Sequence, residues 1–198
     1  MISGMYMGEL VRLVMIDLVE QKLLFDGRSS EKLKTRFAFG TQYVSWIESD
    51  SKNAYTQTQR ALQQMDLCEL ATQEDLEIVR LVCGRVSTRA AFLVSAAVAC
   101  ILKKINRPHT TVGVDGSVYR YHPHFHELME KKIAELLDGR CAFSLMLSED
   151  GSGRGAALVA AVAVRQKLQR QHLMHRRRMV EEAAKLQQAL NSKANVQP

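Results

Sequence analysis

The sequence predicts an α/β or α+β domain in which helices come first and then cover a small sheet. Three observations carry this. Apolar residues recur at helical spacing from Gly8 to Lys104, with short polar interruptions. The texture then turns β-rich at Thr110–Tyr121, "TTVGVDGSVYRY". A second apolar run, Cys141–Leu147, leads through Gly151, Gly153 and Gly155 into an Ala/Val-rich stretch.

Gly8–Phe25 carries Leu10, Val11, Leu13, Val14, Leu18 and Val19, a wide helical face. Asp26-Gly27 is expected to end it, with Gly27 in the left-handed position past the last turn. Ser29-Ser30-Glu31 reads as a fresh helix start. Gly40–Ser49 and Asn53–Met65 read as shorter helices separated by polar residues. Thr72-x-x-Asp75 is a capping signal before a run to Lys104, one helix of about 30 residues and about 45 Å. Asn106-Arg107-Pro108 stops it, because proline restricts the residue before it. Asp115-Gly116 lies between Val112/Val114 and Val118/Tyr119, the strongest short hairpin signal. Pro123 suits the first turn of a helix running to about Leu137. Cys141–Leu147 reads as a strand, and Gly153 or Arg154 opens a helix that continues into the tail. No 20–50-residue repeat indicates a solenoid.

Composition narrows the function classes. A hydrophobic share of 46% supports a core, and 24% charged residues is ordinary for a folded domain. Cys68, Cys83, Cys100 and Cys141 form no CxxC pair, which argues against a zinc ribbon and for reduced thiols. Met1–Met7 has no secretory pattern. The apolar window Ala90–Leu102 is shorter than the about 20 residues a bilayer requires, and reads as a buried core helix. Of the net charge of +6, residues 167–198 supply +5 from seven Lys/Arg and two Glu. The basicity therefore belongs to a tail, and no nucleic-acid partner is expected of the body.

Several constellations admit two readings on the residues alone. Asp115-Gly116-Ser117 is a phosphate or ribose cradle, or a plain hairpin. The glycines at 151–155 imply close backbone approach or positive φ, in a nucleotide site or in packing. They match neither a Walker A nor a GxGxxG pattern, and Arg154 beside them is a phosphate partner or a solvated first-turn residue. His122, His124 and His126 alternate where a helix begins, so they do not share a face, and surface histidines are the better reading than a metal site. Ser87-Thr88-Arg89 is polar cleft lining, or hydroxyls bonded back to their own helix. Thr41 and Ser45, one turn apart, share a face toward ligand or solvent. No nucleophile–base pair is visible.

Taken together, five ordered segments resemble the C-terminal part of the large domain of eukaryotic hexokinases, glucokinase-like. They are "MISGMYMGELVRLV" (1–14), "LFDGRSSEKLKTRFAFGTQYVSWIESD" (24–50), "VCGRVSTRAA" (82–91), "TVGVDGSVYRYHPHF" (111–125) and "SEDGSGRGAALVAAVA" (148–163). The resemblance implies a partial actin/Hsp70-like (ribonuclease H-like) lobe, mostly helical with a small mixed sheet and a C-terminal helical tail. It implies ATP, as its Mg²⁺ complex, donating its γ-phosphoryl group to the 6-hydroxyl of glucose or another hexose. Carried over residue by residue, the ATP-binding positions are Gly4 and Met5, then Thr41, Gln42, Tyr43, Val44 and Ser45, then Ser117, Val118, Tyr119, Arg120 and Tyr121. It also implies a cytoplasmic enzyme, with the full protein able to sit at the mitochondrial surface.

The family's catalytic Asp, its Gly-Gly-Thr-Asn phosphate motif and its sugar-binding segments have no match here. The chain therefore reads as a hexokinase fragment that would contact sugar only through an upstream lobe. The alternative is a non-catalytic nucleotide-binding or scaffolding product. Phe37 stands where the family places glycine after Thr35-Arg36. Residues 1–166 are expected to form the large-domain part and 167–198 a basic helical tail. Met179, Ala183, Leu186 and Leu190 recur there at helical spacing, on a solvated extension or a partner or membrane-surface helix.

Overall fold

The computed structural model describes the backbone of residues 2–194 and the side chains of residues 2–181. The chain divides into two units, Met1–Ser148 and Glu149–Pro198. In the first unit the helices are α1 (Met7–Glu20), α2 (Glu31–Lys34), α3 (Thr41–Glu48), α4 (Thr56–Gln64) and α5 (Gln73–Ile105). Strand β1 (His109–Val114), α6 (Ser117–Tyr121), α7 (Phe125–Leu137) and β2 (Ala142–Leu147) complete it. The second unit contains α8 (Gly151–Ala194), unbroken through residue 166.

Helix α5 is the spine. Thr72 and Asp75 close it with a reciprocal capping box, and Asn106 ends it in the left-handed conformation, as the sequence predicts. Asp75 also accepts the Phe25 N–H at 2.8 Å. Burial pushes the Asp75 carboxyl up, but hydrogen bonds from Thr72 and the Phe25 amide outweigh it and leave it below its ordinary range. Among the described residues α5 is long and apolar enough to cross a membrane. Here its Leu76, Val79, Cys83, Ala91 and Leu102 are buried with Val11 and Met15 of α1 and Met129 and Ile133 of α7. Ser95 donates to the Ala91 carbonyl at 2.8 Å and lies 3.3 Å from the Met129 carbonyl, on α7. Ser87 bonds back to the Gly84 carbonyl at 3.2 Å, the bland reading of that hydroxyl. All four cysteines are free, and burial pushes the Cys83 thiol up.

Local departures from expectation have local causes. Helix α1 stops at Glu20, before Gly27. Lys22 takes the left-handed position at φ 59°, with Leu23 N–H on the Leu18 carbonyl and Lys22 N–H on the Val19 carbonyl. That double bond pattern ends a helix, and lysine supplies the conformation expected of glycine. Phe25, Asp26 and Gly27 all have positive φ, held by the Asp75 contact. Helix α4 starts at Thr56, three residues late. Asp50 caps it, accepting from Gln57 N, Thr58 N and Thr58 Oγ1 at 2.8–2.9 Å. Helix α7 begins at Phe125, with Pro123 just ahead of its cap.

The largest correction is at Asp115-Gly116. No hairpin forms. β1 pairs in parallel with β2, His109 opposite Ala142 through Val114 opposite Leu147, so the sheet is parallel and not mixed. Gly116, at φ +142°, turns the chain out of β1 directly into α6. A side chain is strained there, so glycine is required for a strand-to-helix turn, where an Asp-Gly hairpin would need it for reversal. Helices α6 and α7 then carry the crossover that any parallel pair needs.

The glycines at 151–155 do not behave as expected. None has positive φ. A Cβ on Gly155 would meet nothing within 4 Å, and one on Gly153 would meet only the Asp150 carboxylate. All three lie at the start of α8, and at Gly155 no contact inside this structure requires glycine.

Candidate functional site

The cleft begins with two close approaches. Gly8, near the start of α1, lies against the chain entering α3. A Cβ there would sit 2.6 Å from Gly40 C and 2.7 Å from Thr41 N, both backbone atoms that cannot swing away. Thr41 bridges the contact: its hydroxyl accepts from Gly8 N at 3.0 Å and donates to the Gly4 carbonyl. Gly4 in turn approaches α6, where a Cβ would stand 2.8 Å from Val118 Cγ2.

The third tie is histidine-based. His122 is buried, and its Nε2 lies 3.2 Å from Glu48 Oε1. The His124 amide donates to His122 Nδ1 at 3.3 Å. That leaves the proton of a neutral ring on Nε2, directed at Glu48. His124 Nε2 lies 3.0 Å from the Glu48 carbonyl. His126 instead meets the Tyr119 hydroxyl through Nδ1. Two of the alternating histidines thus tie to Glu48 and the third to Tyr119, and the burial of His122 corrects the surface reading. Among the described residues no group of three His, Cys, Asp or Glu side chains could hold a metal.

These ties enclose an open cleft of about 500 Å³ lined by Gly4, Thr41, Gln42, Ser45, Trp46, Ser49, Ser117, Val118, Tyr121 and Pro123. Seven of the twelve sequence-predicted positions are therefore brought together: Gly4, Thr41, Gln42, Ser45, Ser117, Val118 and Tyr121. Five are not among its lining residues. Val44 is fully buried in the core and Tyr119 nearly so. Met5 is 71% exposed. Tyr43 packs at 5.3 Å against Phe39, and Arg120 lies over the Tyr121 ring at 6.0 Å. Helix geometry explains the split on α3 and α6, because a contiguous run on a helix cannot face one side.

Three lining residues escaped the sequence reading: Trp46, Ser49 and Pro123. The signal was present for two. Gln42, Ser45, Trp46 and Ser49 fall at i, i+3, i+4 and i+7, one face of α3. Arg60 stacks over Trp46 at 4.5 Å, and Tyr43 meets it edge-on at 5.4 Å. Thr41's hydroxyl is engaged by the backbone on both sides. Ser45 and Ser117 contribute hydroxyls to the wall with no such double engagement.

Behind the cleft, Glu9 and Arg12 form a buried two-point ion pair with both contacts at 2.7 Å. Arg12 also donates to the Leu33 carbonyl at 2.9 Å, and Glu9 accepts the Phe37 N–H at 2.7 Å. The Arg12 hydrogen bond, helped by the Phe37 amide, overcomes burial and holds the Glu9 carboxyl below its ordinary range.

The parallel strand pair among helices, taken with the chain's likeness to a solved hexokinase structure, places the chain in the actin/Hsp70-like fold class. The hexokinase family model matches residues 1–162, and the chain belongs to the hexokinase family. It is 49% identical over 171 residues to human hexokinase HKDC1 and 48% identical to human hexokinase-1, in each case over 83% of this chain and 18% of the relative. The Schistosoma mansoni hexokinase is 46% identical over 84% of this chain and 37% of its own length. The solved structure of that hexokinase complexed with glucose superposes with a TM-score of 0.76, over 81% of this chain and 36% of that one. The chain thus spans well under half the length of these relatives.

Proposed function

We propose that this chain is the nucleotide side of an ATP-dependent hexose 6-phosphotransferase. The observation that carries the reading is the convergence of three segments, around residues 4, 41–49 and 117–123, on one cleft. Its volume falls in the range of small-ligand sites. Its chemistry suits a nucleoside better than a free phosphate, because the lining offers hydroxyls, an amide, an indole and a phenol and no Lys or Arg. Ser117 and Ser45 would address ribose hydroxyls, and Trp46 with Tyr121 would offer flat apolar surface to the base. Mg²⁺ bound to the phosphates would neutralise charge during transfer, and no described cluster of this chain is suited to hold it. The role of these residues is to bind and orient one substrate. Hexose contacts and the base for its 6-hydroxyl belong to residues outside this chain.

Titration of the full chain with ATP, followed by ligand-detected NMR, tests the reading. Binding that Ser117→Tyr weakens by filling the cleft is the expected result. No binding at millimolar ATP removes the assignment.

A further inference from the structure

We infer that the basic half of α8 is a docking helix for an anionic lipid surface. Between Ala156 and Val180 the chain carries six Lys/Arg and no Asp or Glu. The family match ends at residue 162, so this charge lies beyond what the hexokinase family model covers.

The arrangement is ordered. Leu168 and Met179 stand 11 residues apart, about three helical turns, so they share a face. Val164 lies one turn before Leu168 on that face. The three are 51–58% exposed. Cations repeat with the same 11-residue period on both sides of the row: Arg165 and Arg176 on one flank, Lys167 and Arg178 on the other. A helix laid with this row downward, His175 included, places both flanks at about one depth and leaves the exposed Leu173, Met174 and Val180 turned away from the surface. Their long aliphatic stems then cross the apolar layer while the charged ends meet headgroups. Charge complementarity selects an anionic surface, because no acidic residue within this stretch opposes the field. It disfavours a second copy of the helix, which would bring like charges together. Nucleic acid fits less well: no Phe, Tyr or Trp lies between Gly151 and Val180 to stack on a base. Exposed Leu, Met and Val also gain nothing from phosphates.

The test is co-sedimentation of the full chain with vesicles of phosphatidylcholine alone or mixed with phosphatidylserine. Binding is expected only with phosphatidylserine and should weaken with salt. Arg165→Ala, Arg176→Ala and Arg178→Ala together should weaken it about a hundredfold, since each surface cation contributes about 1 kcal/mol. Circular dichroism should show helix content preserved, alanine being the best helix former. Leu168→Gln with Met179→Gln keeps the charge and should weaken binding at least about tenfold, through lost apolar burial. Equal binding to both vesicle types would overturn the inference, as would none to either or indifference to the triple variant. Tighter binding to an oligonucleotide than to phosphatidylserine vesicles at the same salt would also overturn it.

Discussion

Phe37 offers a direct measurement of backbone strain at the position where the resemblance leads one to expect glycine. The residue sits at φ +62°, in the left-handed region where a Cβ costs about 1–2 kcal/mol. The ring recovers part of that. It lies 6.0 Å from Tyr6, an arrangement worth about 0.5–1.5 kcal/mol. Arg36 stands 5.0 Å above it, worth about 0.5–1 kcal/mol at an exposed site. The ring is 41% exposed, so the lower ends apply. Phe37→Ala loses both contacts and keeps the strain, and should destabilise by about 1–2 kcal/mol. Phe37→Gly loses the same contacts and relieves the strain, and should stay within about 1 kcal/mol of the parent. The decisive quantity is the order of the two variants. At ordinary φ, alanine exceeds glycine by about 0.5–1 kcal/mol. Here glycine should exceed alanine by about 1 kcal/mol, or about 2–4 °C in Tm for a chain of this size. Urea and thermal melts of the three full chains give the answer. Alanine equal to or above glycine would refute the strain argument.

Gly8→Ala should cost about 1–3 kcal/mol by overpacking, and should weaken ATP binding by NMR because the clash falls on the backbone entering α3. Glu9→Gln leaves Arg12 buried without its charge partner and should lower stability by about 3–5 kcal/mol in a urea melt. Glu9 and Asp75 both have lowered folded-state values, so their stabilisation is present above the unfolded carboxylate range of about pH 4–4.5. It is lost as pH falls through that range toward the lowered values. An acid titration of Tm should show the loss, and Glu9→Gln should flatten it. Asp50→Ala removes three hydrogen bonds from the start of α4, and should cost about 1–2 kcal/mol in the same melts. The chain by itself should not phosphorylate glucose in a coupled assay, because a general base alone is worth about 10²–10⁴-fold. Turnover by Met1–Pro198 would contradict the proposed division of labour.

Local chemistry was legible in the sequence where it acts locally. The Thr72 box, the Ser30 cap and the stop at Asn106 depend on residues within one turn, and the structure has all three. Asp115-Gly116 misled because the dipeptide reports a positive φ and not whether a strand or a helix comes next. The partner of β1 lies about 30 residues later, and only non-local pairing identifies it. The shared face of Thr41 and Ser45 was readable from spacing. The commitment of the Thr41 hydroxyl to Gly4 and Gly8 was not, because it depends on a contact more than 30 residues away. The tail helix was readable from the absence of Gly and Pro, and α8 continues into it as far as Ala194. The side chains of Ala183, Leu186 and Leu190, part of the stripe expected there, lie outside the described residues.

The cleft's ties decide what kind of site it is. Thr41 joins the start of α1 to the start of α3. Glu48, at the other end of α3, receives His122 on its carboxylate and His124 on its carbonyl. Helix α3 is thus held at both ends, and neither tie uses a ligand. The face between them, from Gln42 to Ser49, is presented in one orientation before anything binds. A nucleoside entering such a face does not first have to order it, so the entropy of fixing the wall is already spent in folding. The same construction limits the site. On the proposed function its rigid parts would position one substrate, and positioning accelerates a reaction only when the second substrate is held in register with it. On the proposed function, then, what this chain would contribute to catalysis is orientation of the donor, which becomes rate acceleration only when an acceptor site faces it.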